Sequence, residues 1–309
     1  SNVTAGKAYE YEIRMESNLP APEGGWINAY SYLWAGLDLP EKHARGRVSV
    51  VVDGSVAGPL AGELETFRQD LAGAGWTVVQ REVSRSAPVP DVRKMIRDDY
   101  IASPGSTRAV ILVGHVPVPY SGNIAPDMHA SHRGAWPADA YYADMDGTWT
   151  DSSVSVLSED FAENDNFPGD GKFDQSVMPS PAELEVGRID MWGLSAFQGR
   201  SEIDLLKNYF QKNHAFRHRL FTAPRQGLVR DNFGDFEGDA PAVDAWRHYS
   251  GFFGLDRVTV AGPDDFFSNL AGNGYLWAYG CGGGANDKAD GVGATSDFAA
   301  TDPRAVFLM

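Results

Sequence analysis

Residues 275–284, YLWAYGCGGG, run apolar and aromatic and then break into glycine around Cys281, the one cysteine of the chain. A run of about six apolar residues ending in glycine has the pattern of a buried parallel strand whose carboxyl end opens into a tight loop. Open α/β sheets hold ligands and reacting groups at that end of their strands, so this stretch marks the expected rim of a functional site.

The same kind of segment recurs on either side of it. GLVRDN (227–232) and RVTVAG (257–262) read as strands separated by a helix over 240–253, a further helix starts from Pro263, and AVFLM (305–309) reads as another strand. Earlier come RVSVVVD (47–53), a helix from Pro59 to Ala74 with Leu60, Leu64, Phe67 and Leu71 on one face, and WTVVQREV (76–83). A helix over 89–102, the strands AVILVG (109–114) and LEVGRI (184–189), and a helix over 195–219 complete the series. Strands alternating with amphipathic helices predict parallel sheets with right-handed crossovers. The expected fold class is therefore α/β, with mainly parallel sheets flanked by helices. It comprises a first subdomain over 46–221, a second over 222–309, and a short N-terminal β segment over 1–45 packed on the side of the main domain. Because AVFLM stops inside a strand with no loop or cap, the chain is expected to be truncated, cleaved or continued beyond Met309.

Composition excludes several classes. With 309 residues, 43% of them hydrophobic and 12% aromatic, the chain forms real cores and is not disordered. A net charge of -16 disfavours nucleic acid and anionic membranes, and favours cations as partners. No apolar run reaches the roughly 18 residues of a membrane span and no basic-then-apolar leader opens the chain, so a soluble, mature or trimmed form is expected. A single cysteine forms no internal disulfide, which suits either the cytosol or a large secreted bacterial protein.

Between Gly114 and Arg188 the regular pattern stops for about seventy residues, a length that usually signals a functional or ligand-stabilised loop. Asp139, Asp144, Asp146, Asp151, Asp165, Asp170 and Asp174 lie there among glycines and asparagines. Alternating carboxylates with glycine turns suit a structural Ca²⁺ site, although the spacing is not that of an EF-hand; a solvated acidic loop is the equal alternative. His115, Asp127, His129 and His132 form a weaker Zn²⁺ candidate, because i, i+3 spacing in a loop does not place both rings on one face. His214 and His218, at i, i+4 on a long helix, are a candidate ligand pair, though this spacing more often marks a solvated face. The GCGGG loop lacks a following Lys and Ser/Thr and is no phosphate loop of the nucleotide-hydrolase type.

Three blocks in this order resemble the gingipain family of cysteine peptidases over roughly residues 46 to 309. They are AVILVG, then D-x-Y-Y-x-D-x-D-G (Asp139, Tyr141, Tyr142, Asp144, Asp146, Gly147), then VGRI (Val186 to Ile189) with a long helix behind it. NGYLWAYGCGGG and the terminal apolar strand are similar to the layout of that family's catalytic subdomain. The resemblance implies a caspase-like fold, secretion to the cell surface or medium, calcium in the acidic loops, a protein or peptide substrate, and a His–Cys dyad. The family's histidine lies in a Gly-His-Gly motif, which here reads Gly280, Cys281, Gly282, and its nucleophile follows the strand that here is AVFLM. Asp139 matches the aspartate that receives a basic substrate side chain in arginine-specific members, and the same carboxylate could instead hold Ca²⁺. Three functions stay open. One is a cysteine endopeptidase using Cys281 with His115 or His132 as base. Another is a non-catalytic binding or scaffold domain of a larger extracellular protein. The third, less expected, is a metal-dependent hydrolase built on His115, His129 and His132.

Overall fold

A computed structural model describes residues 3–7, 9–20, 26–37, 43–103, 105–126, 128–233 and 243–309. The elements, in order, begin with β1 (Tyr9–Pro20), β2 (Trp26–Ala35), β3 (Gly46–Asp53), α1 (Gly54–Ala57), α2 (Ala61–Gly73), β4 (Trp76–Val83) and α3 (Val89–Ala102). Next are β5 (Thr107–Val113), β6 (Tyr120–Ile124), β7 (Gly134–Pro137), β8 (Glu185–Ile189), α4 (Glu202–Arg217) and β9 (Gly227–Asp231). The last are α5 (Val243–Phe253), β10 (Val258–Val260), α6 (Phe266–Gly272), β11 (Tyr275–Cys281), β12 (Lys288–Ala289), β13 (Gly293–Ala294), α7 (Thr295–Ala300) and β14 (Ala305–Leu308).

Two four-stranded parallel sheets carry the architecture, in the orders β4-β3-β5-β8 and β10-β9-β11-β14. Each is the same winding: the first strand lies inside, the second goes to one side of it, and the third and fourth to the other. The first reversal of direction leaves a crevice between the carboxyl ends of strands one and three. Asp53 and Gly114 stand at that point in the first sheet, and Asp231 and Cys281 in the second.

In the first sheet β3 is buried on both faces, which is why it reads as an unbroken apolar run. Val48, Val50 and Val52 pack with Leu64, Phe67 and Leu71 of α2 and Leu206 and Phe210 of α4. Val51 points the other way, to Val92 and Ile96 of α3. Tyr141, Tyr142, Met145 and Phe173 from the long loop join this second core, so the loop folds over the α3 side of the sheet. The second sheet repeats the scheme. Leu228 and Ala278 meet α6 through Phe266 and Leu270, while Val229, Trp277, Tyr279 and Cys281 face α5 through Tyr249.

Several expectations shift. The N-terminal segment is a single antiparallel hairpin of 12- and 10-residue strands rather than short pieces. Its Tyr11, Ile13, Tyr32 and Leu33 are exposed. The helix expected from 195 starts at Glu202, because Ser201 and Asp204 form a capping box there. The expected start of α5 at 240 falls outside the described residues.

Candidate functional site

At the first crevice the buried Asp53 accepts the Ser55 N–H at 2.9 Å and the Arg85 Nε–H at 2.9 Å. Burial opposes its charge, yet these contacts hold the carboxyl below its ordinary value. His115 follows β5, with its Nδ1 2.9 Å from Asp190 Oδ2 and its ring stacked on Trp192, the centroids 4.1 Å apart. A carboxylate on one ring nitrogen fixes the imidazole and leaves the other nitrogen for proton transfer. The thiol expected opposite it is not there: Cys281 belongs to the other sheet and bonds to Asp231.

Asp139 is engaged from within the chain. Arg188 donates Nε–H to Oδ2 at 2.8 Å and Nη2–H to Oδ1 at 2.7 Å, a two-pronged pair, and a third donor of the same guanidinium goes to Val116 O at 2.6 Å. Burial disfavours the guanidinium charge, but Asp139, with smaller help from Asp190 and Tyr142, more than offsets it and holds Arg188 above its ordinary value. The arginine of the VGRI block thus supplies the basic partner that the resemblance assigns to a substrate.

At the second crevice the Cys281 thiol donates to Asp231 Oδ1 at 3.3 Å, and the same oxygen accepts the Phe233 N–H at 2.9 Å. Burial first, and the Asp231 carboxylate second, push the thiol up to about 11. A reactive cysteine needs the opposite environment, an imidazolium or helix amino terminus that favours thiolate. The flanking glycines answer to packing: a Cβ on Gly280 would sit 2.5 Å from Val292 Cγ1, and one on Gly282 would sit 2.1 Å from Asp290 O. Residues 290–292 therefore lie against this loop. On the α5 side a cavity of about 410 Å³ is lined by His248, Tyr249, Phe252, Trp277, Tyr279 and Met309. His248 was not among the sequence candidates; its only signal is a place on the apolar helix facing β11.

The acidic loop is ordered by its own hydrogen bonds. Asp174 accepts from Ser152, Ser153 and Val154 N–H and from Thr150 Oγ1. Asp151 accepts from Gly169 and Gly171, Asp170 from Phe167 and Lys172, and Asp165 from Ser158. Asp144, fully buried, takes Gly147 N–H, Ser180 Oγ and Trp149 Nε1. Asp146 is exposed and makes no side-chain hydrogen bond among the described residues. As a Ca²⁺ cage the set does not fit in this arrangement, because most of these oxygens face N–H or O–H donors and no three carboxylates converge.

The zinc candidates are also dispersed. His115 is on Asp190, His132 Nε2 lies 3.4 Å from Asp160 Oδ2, and the His129 and His132 rings are 5.1 Å apart. Asp127 lies outside the described residues. Among the described residues these histidines form no group of three ligands.

Paired, doubly wound parallel sheets flanked by helices define an α/β protein. No family model and no curated protein matches the chain. Two solved structures are similar to it at a low level. One is the Arg-specific cysteine proteinase gingipain R, 13% identical over 82% of this chain and 50% of that one, with TM-score 0.46. The other is the complex of Porphyromonas gingivalis RgpB pro- and mature domains, 12% identical over 80% and 51%, also with TM-score 0.46. The chain spans about half the length of each, and similarity at this level adds nothing to the chemistry of the site.

Proposed function

We propose that this chain is a peptidase-type α/β domain of gingipain-like layout in which Cys281 is not a nucleophile, and that it serves as a binding or scaffold domain of a larger extracellular or cell-surface protein. The observation that carries the reading is the Cys281–Asp231 contact: a protonated thiol held by a carboxylate does not attack a peptide carbonyl. The internal Arg188–Asp139 pair supports it, since the carboxylate suited to a substrate guanidinium is already neutralised. Extracellular placement rests on the sequence resemblance alone.

A second reading keeps endopeptidase activity. β14 lies parallel to β11, and Gly280 N–H donates to Met309 O at 2.9 Å, so residues after Met309 in a longer chain would enter beside Cys281. His248, which lines the same cavity as Met309, is the imidazole on that side. Incubating the full-length protein with a fluorogenic Arg or Lys peptide separates the two. The proposal expects no turnover from the wild type or from Cys281→Ala. Turnover retained in Cys281→Ala supports the second reading, and turnover lost in that variant refutes the assignment of Cys281.

A further inference from the structure

Away from both crevices, on the α2–α4 side of the first sheet, α2 and α4 bring three metal-ligating side chains together. Asp70 is buried, its side chain 3% exposed, and it accepts from two histidines of the facing helix. His214 Nδ1 is 2.9 Å from Asp70 Oδ2 and 3.1 Å from Oδ1, and His218 Nε2 is 2.7 Å from Oδ1. Spacing of i, i+4 brings His214 of α4 and His218 at its C-cap to one side of the helix, with ring centroids 4.2 Å apart.

The register is set by packing beneath the cluster. The Phe67 and Phe210 rings meet at 5.2 Å, with Asp70 one turn along from Phe67 and His214 one turn along from Phe210. The three donor atoms all lie within 4.8 Å of one another, the single such group of His, Cys, Asp and Glu among the described residues. A tetrahedral ion with bonds of about 2.0–2.2 Å separates its ligands by roughly 3.4 Å, so small side-chain rotations accommodate it. Nothing but imidazole faces the buried carboxylate in the described contacts, and a divalent ion would compensate its charge. Two imidazoles and one carboxylate select a first-row transition ion over Ca²⁺ or Mg²⁺.

We propose that Asp70, His214 and His218 form a Zn²⁺-class site that staples α2 to α4. The imidazoles are 39% and 53% exposed, so solvent reaches the fourth coordination position. Its role is structural, because the site lies on the helical face of the sheet and not at a crevice.

The test is calorimetric titration of the metal-stripped full chain with Zn²⁺ alone, near neutral pH. The expected result is one Zn²⁺ per chain with Kd about micromolar or tighter, accompanied by a rise in Tm. His218→Gln changes an exposed side chain and leaves the fold intact; it should weaken binding about tenfold or more and abolish the Tm rise, while His132→Gln should change neither. A wild-type stoichiometry well below one, unchanged binding in His218→Gln, or loss of binding in His132→Gln instead would each overturn the assignment.

Discussion

Asp144 and Gly147 illustrate how one residue dictates the identity of another. A Cβ on Gly147 would lie 2.2 Å from Asp144 Oδ2, and that carboxylate cannot retreat because Ser180, Trp149 and the Gly147 N–H hold it. The aspartate-glycine spacing of the D-x-Y-Y-x-D-x-D-G block is thus a packing requirement as well as a family resemblance. Asp144→Asn sets an amide NH₂ against one of those donors inside the core and should cost about 3 kcal/mol, read from urea unfolding. Gly147→Ala should destabilise by a similar amount, about 2–3 kcal/mol. Replacing Arg188 by Met leaves Asp139 without its counter-charge and should cost about 3 kcal/mol in the same assay. Asp231 could be read from the sequence as a strand-end residue, but its partnership with Cys281 could not. The two meet across the β9–β11 ladder, 50 positions apart, and no local pattern encodes such a contact.

Buried parallel strands are legible because both faces are apolar, so β3, β5 and β11 stand out as continuous runs. β10, only three residues long, is still legible within RVTVAG, whereas four of the nine residues of β6 and β7 are glycine, serine or asparagine, so that hairpin has no periodic signal. The long loop was legible as an irregular acidic segment, but what orders it was not, since its N–H donors are backbone groups invisible in composition. That chemistry makes a pH prediction. Asp144 and Asp174 are held below the ordinary carboxylate range, against burial, by the donors around them. Their folded-state pKa is depressed, so the stability they contribute is present above the unfolded value of about 3.9 and is lost as pH falls below it. Unfolding free energy should decline from about pH 5 downward, and Asp174→Asn should flatten that slope. A slope unchanged in the variant would remove Asp174 from the account.

The whole molecule is a pair of similarly wound sheets whose crevices hold different side chains. One crevice gathers Asp53, His115 and Asp190, the other Asp231 and Cys281, and each ionisable group there is already matched to a partner within the chain. A peptidase site is poised differently, with a nucleophile and base left in an unsatisfied, reactive state. The central claim is that the thiol of the GCGGG loop is a satisfied group, and its alkylation rate tests this most directly. In the native full-length protein, the rate of Cys281 reaction with iodoacetamide should stay low at neutral pH and rise with a midpoint near 11. A rate already saturated at pH 7 would reveal a stable thiolate and contradict the account.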